Sequence, residues 1–403
     1  MNEVFIYDGL RTAFGRHAGA LSRVRPDDLV ASVIRELMAR NDIPGEAIED
    51  VILGNTNQAG EDSRNLARHA GLLAGLPESV AGLTVNRLCG SGVAAVLDAS
   101  RAIRCEEGEL FIAGGCEVMS RAPWVLAKAE SPFSRNQTLE DSTLGARFPN
   151  PKLIADFGGD TMPQTADNIA TDLDITREQS DSFAAASQKK YAAARAGGFF
   201  TEEILPIEVP SRNRKTESVV VVEDEHPRPD VSTEKLAKLR PLFPGGVVTA
   251  GNASGINDGA GALLLGSVAC AERHGMVPRA RVIAGAVAGV NPRVMGLGPV
   301  PASRKALQRA GLTLDDMDVI EINEAFATQV LGCLKQLGLS VDDTRVNPNG
   351  GAIAIGHPLG ASGARITLTA LRQLERSAGR YALISMCIGI GQGIAVIIER
   401  QGE

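Results

Sequence analysis

The chain contains no apolar run long enough for a membrane-spanning helix, which takes about 20 such residues. Its six cysteines stand far apart with no C-x-x-C pair, which argues against a disulfide framework and a structural zinc site and leaves reduced thiols and no metal. A basic surplus is missing too: the formal net charge is −7, which disfavours a nucleic-acid partner. The G-x-S-x-G of many serine hydrolases does not occur. Neither does a phosphate loop, and no G-x-G-x-x-G joins a strand to a helix as a dinucleotide site requires. The first residues, "MNEVFIYDGLRTAFG", carry neither the basic nor the apolar segment of a secretory leader, and "ERQGE" at the other end carries no recognised address. A cytoplasmic protein is therefore expected.

What remains is ordinary globular composition, 44% apolar and 22% charged, spread over a length that exceeds one simple core. Self-comparison divides it. "NEVFIYDGLRTAFG" is echoed by "ARVIAGAVAGVNP", and the amphipathic "PDDLVASVIRELMAR" by "PVPASRKALQRAG". "IEDVILGN" then matches "MDVIEIN", pairing Asn55 with Asn323, and "LCGSGVAAVLDASRAI" matches "LGASGARITLTALRQL", pairing Cys89 with Gly360. At the same offset "ELFIAGGCE" matches "RYALISMCI", so that Cys116 answers Cys387.

Two α/β halves follow, each alternating strands and helices. The second half closes through the glycine turn "IGIGQG", whereas the matching final strand of the first, "GALLLGS", comes about 140 residues late. The interval is therefore an insertion at a hairpin position, the kind of segment that covers a site. The expected units are residues 1–119 with 249–279, an inserted loop domain over 120–248, and residues 280–403. Within the insertion, "TREQ" reads as a helix capping box and Gly197 as a stop. The basic stretches "SRNRK" (211–215) and 226–240 offer either solvated loop charge or a local patch for a small anion.

The chemistry-bearing residues lie in both halves. Cys89, in "NRLCGSG", stands at the start of a helix that is apolar nearly all round, where unpaired amides favour thiolate over thiol. Most isolated cysteines in such settings are inert core residues. His357, in the glycine-dense "NPNGGAIAIGHPLGASGAR", is a candidate base, and the repeat brings its loop toward the Cys89 helix. Cys387 ends a strand before the glycines at 389, 391 and 393, where it reads either as an acid/base thiol or as a core cysteine like Cys116. Asn323 and Glu324, in "EINEAFA", end another strand, where Asn323 either reaches a crevice or caps the next helix.

Together with "TAGNASGINDGA" and "CIGIGQG", these motifs in this order and spacing resemble the thiolase family over essentially the whole chain. The resemblance implies an α/β fold of two similar βαβαβαββ halves in five αβαβα layers, with a loop domain inserted in the first half. It implies that Cys89 is the acyl-accepting nucleophile, that His357 activates it and that Cys387 is the acid/base. Asn323, through a water, and His357 would form one oxyanion hole; the amides of Cys89 and Gly389 would form the other. Coenzyme A would be a co-substrate, facing Arg228, Ser254 and Lys235, with Met162 near the acyl end, in a homotetramer of tight dimers.

Lys235 stands where short-chain biosynthetic relatives have serine, and Thr161 where they have a histidine. The stretches 57–68, 120–151 and 162–168 look most like the β-ketoadipyl-CoA branch of the family. Its members cut a six-carbon dicarboxylic 3-oxoacyl-CoA into succinyl-CoA and acetyl-CoA. A terminal carboxylate would want Lys128, Arg135 or Arg147 as partner. The alternatives are an acetyl-CoA C-acetyltransferase, a general 3-ketoacyl-CoA thiolase, or a non-catalytic acyl-CoA or lipid carrier on the same fold. A carrier would be expected to lack one of Cys89, His357 and Cys387.

Overall fold

The computed structural model of the protein describes residues 2–211 and 217–402, so the basic stretch 211–215 lies, except for Ser211, outside the described residues. In the first half the strands are β1 (Phe5–Thr12), β2 (Asp50–Gly54), β3 (Ala81–Val85), β4 (Leu110–Val118) and β5 (Asn257–Gly266). They are ordered β3-β2-β4-β5-β1, with β2 parallel to both its neighbours and β5 antiparallel to both of its own. The second half repeats this with β6 (Ala280–Gly289), β7 (Val319–Ile322), β8 (Tyr381–Ile388) and β9 (Gln392–Arg400) in the order β7-β8-β9-β6. A one-residue bridge from Val346 to Ile320 stands where the first half has β3. Phe5 and Ile6 of β1 pair with Arg281 and Ala280 of β6, which stitches the half-sheets into one.

Strand alternation decides the layers. Val51 and Leu53, with Leu110 and Ile112, face the outer helices α1 (Pro26–Asn41) and α2 (Leu66–Ala74); Ile52, Phe111 and Ala113 face inward. In the other half Leu383, Ala395 and Ile397 face α6 (Pro299–Ala310) and α7 (Ala327–Leu337), while Ala382, Ile384, Ile394, Val396 and Ile398 face inward. Between the inward faces lie α3 (Ser91–Arg104) and α8 (Leu359–Ser377), so the order is helix, sheet, helix, sheet, helix. Each buried Leu or Ile there contributes about 1.5–3 kcal/mol.

α3 and α8 touch through their backbones. A Cβ on Gly92 would lie 2.8 Å from the Gly360 carbonyl oxygen, and one on Gly363 would lie 2.1 Å from the Val93 nitrogen. Only hydrogen fits at either position, and the contact sets the N-terminal ends of the two helices side by side.

The insertion leaves β4 and returns at β5, its antiparallel partner, whereas β8 and β9 are joined by a tight turn. It carries α4 (Met162–Asp172) and α5 (Arg177–Ala196); α5 begins with a Thr176/Gln179 capping box and ends at Gly197. Arg11 of β1 moors it: the buried guanidinium bonds Glu203 at 2.6 Å and Asp224 at 2.6 Å, with the Phe14 and Phe200 rings on its faces. Removing the guanidinium would leave two buried carboxylates without their cation, at a cost of at least about 3–5 kcal/mol.

Gly363→Ala is expected to lower unfolding stability by at least about 1–3 kcal/mol, because its obstacle is backbone rather than a movable side chain. An unchanged urea midpoint in equilibrium unfolding would contradict the backbone contact.

Candidate active site

The turn before α3 fixes Cys89. Leu88 adopts a left-handed φ of 46°, costly for a non-glycine residue, and its N–H bonds the Asn86 Oδ1 at 2.9 Å. The Ser91 hydroxyl closes the turn, accepting the Arg87 N–H at 2.8 Å and donating to the Leu88 carbonyl at 2.6 Å. Helical residues start only at Ser91, with Gly90 as the cap, so Cys89 precedes the helix.

Here the electrostatics differ from the sequence expectation. The Cys89 thiol is raised to about 11: desolvation outweighs the N–H groups of Gly389 and of Cys89 itself, which point to the sulfur, and the charge of Glu117 raises it further. The residue as a whole is only half-buried, but its sulfur sits in the desolvated recess beneath those amides. The resting form is therefore the thiol. Cys387, buried at the end of β8, is raised further by burial and then by the neighbouring Cys89. It packs in one cluster with Ala253, Phe326 and Met162. The Met162 sulfur lies 3.6 Å from where a Cβ on Gly389 would be. Cys89, Cys387, Gly389 and Met162 thus meet at one place.

His357 follows Gly356, whose φ of 110° brings its backbone against the Asn257 side chain; Asn257 Oδ1 accepts the His357 N–H at 2.9 Å. The Ser362 hydroxyl lies 2.6 Å from His357 Nδ1 and donates its own proton to the Pro358 carbonyl at 2.8 Å. It can then only accept from Nδ1–H, which leaves the Nε2 lone pair free. The Asn323 amide donates toward that lone pair at 3.4 Å. Burial, then the Arg365 charge, lowers His357 to about 3, so the ring is a neutral acceptor at physiological pH. Asn323 does not cap α7, whose cap is Phe326. Its backbone N–H bonds the Ser385 carbonyl at 3.0 Å, two residues before Cys387.

Glu324, also at the end of β7, turns inward rather than into the crevice. It accepts from Ser187 at 2.6 Å, Asn347 at 2.9 Å and the Ile353 N–H at 3.1 Å, bracing the loop that carries His357. Ser254 adjoins this segment, its N–H bonded to the Ala325 carbonyl. Arg228 and Lys235 are exposed; the Arg228 N–H bonds Gln188, and the Lys235 amine bonds the Asp230 carbonyl at 2.7 Å. His226, two residues before Arg228, rests against Gly255, so this cationic stretch borders Ser254. Lys128 and Arg135 are exposed, whereas Arg147 is half-buried with its guanidinium held by Asn57 Oδ1 at 3.3 Å.

The sequence reading missed Ser362, Asn257 and Glu117. Ser362 had a signal, since the repeat aligns it with Ser91, the other hydroxyl that locks a turn ahead of a central helix.

Two adjacent stretches match known domains: residues 4–269 match the thiolase N-terminal domain and residues 276–400 the thiolase C-terminal domain. The chain belongs to the thiolase family. It is an acyltransferase of that family. It is 57% identical over 402 residues, 99% of this chain and 100% of the relative, to the 3-oxoadipyl-CoA/3-oxo-5,6-dehydrosuberyl-CoA thiolase of Escherichia coli (strain K12). Among solved structures it resembles the Bacillus anthracis acetyl-CoA acetyltransferase (TM-score 0.93, 39% identity, covering 100% of this chain and 99% of that one). It also resembles human mitochondrial 3-ketoacyl-CoA thiolase in complex with CoA (TM-score 0.91, 41% identity, covering 99% and 98%). Among the described residues of this thiolase no helix is long and apolar enough to cross a membrane.

Because the folded state resists the proton that an unfolded histidine takes up near 6.5, His357 contributes stability above that pH and loses it as the pH falls toward 3. In ring-nitrogen NMR of histidine-labelled protein, His357 is expected to stay neutral and Nδ1-protonated down to about pH 5. A midpoint near 6.5, or an Nε2–H tautomer, would refute the assignment.

Proposed function

We propose that this enzyme cleaves 3-oxoadipyl-CoA with coenzyme A, giving succinyl-CoA and acetyl-CoA through an acyl group carried on Cys89. The observation that carries the substrate is the 57% identity over the full length to a thiolase named for that substrate. The chemical roles rest on the site's geometry.

His357 Nε2 takes the Cys89 proton as the sulfur attacks the keto carbon. With the thiol at about 11 and the imidazole at about 3, the neutral pair is the resting state, and charge appears only as the new bond forms. A water held by Asn323 and the newly protonated His357 Nε2 would then hold the keto oxygen, a reading supported by the Asn323 amide lying beside Nε2. The C2–C3 bond then breaks and its electrons pass to the acetyl thioester as an enolate. The N–H groups of Cys89 and Gly389, which converge on the sulfur, are positioned to stabilise the thioester oxygen, and Cys387 protonates the enolate carbon. Cys387 next takes the proton of coenzyme A, whose sulfur attacks the Cys89 thioester; succinyl-CoA leaves, and the departing Cys89 sulfur recovers its proton from His357 Nε2.

Coenzyme A would pass Arg228, Ser254 and Lys235 with Met162 beside the acyl end; the nearness of Met162 to Gly389 supports this. For the terminal carboxylate the half-buried Arg147 is favoured over exposed Lys128 and Arg135, since Asn57 already orients it. Residues 1–119 with 249–279, 120–248 and 280–403 remain our division of the chain. A cytoplasmic homotetramer is part of the same reading, supported by exposed Trp124, Leu126, Phe133 and Leu139 around one hairpin of the insertion.

Cys89→Ala is expected to abolish the acyl-enzyme in intact-mass measurements with 3-oxoadipyl-CoA, while Cys387→Ala still acylates from an acyl-CoA and turns over poorly; near-normal turnover in Cys89→Ala would sink the mechanism. In a thioester-absorbance assay, 3-oxoadipyl-CoA should exceed acetoacetyl-CoA and longer neutral chains, and Arg147→Ala should narrow its lead over acetoacetyl-CoA roughly tenfold. Equal rates on neutral substrates would remove the dicarboxylate assignment.

A further inference from the structure

The pseudo-symmetry puts Glu117, next to Cys116, where the second half has Ile388, next to Cys387. Glu117 is buried, 2% exposed, and among the described residues no cation is bonded to its carboxylate. Oε1 accepts the Asn57 N–H at 3.1 Å and the Asn55 amide at 3.5 Å; Oε2 accepts the Thr56 N–H at 3.1 Å and the Gly360 N–H at 3.0 Å. Gly360 is the residue of α8 that matches Cys89 and lies three positions after His357. One side chain of the first half therefore holds both the loop after β2 and the start of the helix that follows the histidine of the second half. At the matching place in the second half Ile388 offers no acceptor, and the Cys89 amide, the counterpart of the Gly360 amide, points to its own sulfur instead.

We propose that Glu117 is a positioning residue for the thiolase reaction: it fastens the first turn of α8, and with it the His357 loop, to the Cys89 half. The idea rests on the reading of Cys89 and His357 given above. Burial outweighs the donors from Thr56 and Asn57 and lifts the carboxyl to about 7, so it is ionised across the alkaline range in which the Cys89 thiol, at about 11, gives up its proton. Facing it from the packed elements are Asp62 on the loop after β2, which raises it, and Cys89 ahead of α3. Asp27 of α1, Asp62 and Asp258 of β5 join it in acting on Cys116, and His357 precedes the clamped turn. The carboxylate adds to the desolvation that raises the Cys89 thiol, so removing its charge should make Cys89 somewhat easier to ionise. A residue that only caps a helix would produce no such change.

The test compares wild type, Glu117→Gln and Glu117→Asp, following iodoacetamide modification of Cys89, located by peptide mass, against pH, together with steady-state kinetics. Glu117→Gln should shift the modification profile to lower pH and reduce kcat roughly tenfold or more with KM for coenzyme A nearly constant. Glu117→Asp should keep the wild-type profile while losing part of kcat. A folded Glu117→Gln with unchanged profile or unchanged kcat overturns the proposal, as does failure of both variants to fold, which would make the role one of stability alone. Exposed Cys105 should be labelled alike in every variant; failure of an acyl-CoA to protect Cys89 in the wild type would instead count against the nucleophile assignment and leave the two failures distinct.

Discussion

The arrangement depends on the close approach of α3 and α8. Because Gly92 and Gly363 let main chain meet main chain, two helices from different halves share the middle layer with their first turns adjacent. Cys89 precedes one and His357 the other. Any side chain at the crossing would move the helices apart and carry sulfur and imidazole away from one another. The outer layers and the mooring of the insertion through Arg11 secure this crossing from a distance, and the reacting groups hang from its end.

Much of the architecture was legible because a duplication repeats its own evidence. Matching "LCGSGVAAV" to "LGASGARIT" identified the central helices, and the late return of "GALLLGS" exposed the insertion. The seam between β1 and β6 was not legible: it consists of two residue pairs between strands far apart in sequence, with no pattern of their own. The Arg11 cluster was hidden for the same reason, since its acids lie in the insertion about 190 and 210 positions away.

At the site, residue types could be read and their energetics could not. A cysteine before a helix promised a thiolate, yet the recess that excludes water overrides the nearby amides. Burial is a property of everything packed around an atom, and no local motif states it. Asn323 was open between cap and crevice until Phe326 proved to be the cap. Glu324 braces a loop for the same kind of reason: Ser187 and Asn347 converge on it from other parts of the chain.

The shared middle layer also bears on how the molecule came to be, and on how it comes apart. α3 and α8 bury apolar surface against both half-sheets, so neither half, taken alone, has anything to cover its helix. An ancestor encoding a single copy would have met that need by pairing with itself. Fusion makes such a pairing permanent, and the two halves here bring different groups to it, Cys89 from the first and His357 and Cys387 from the second. Melting should accordingly couple residues hundreds of positions apart, since opening either side strips the other of its cover.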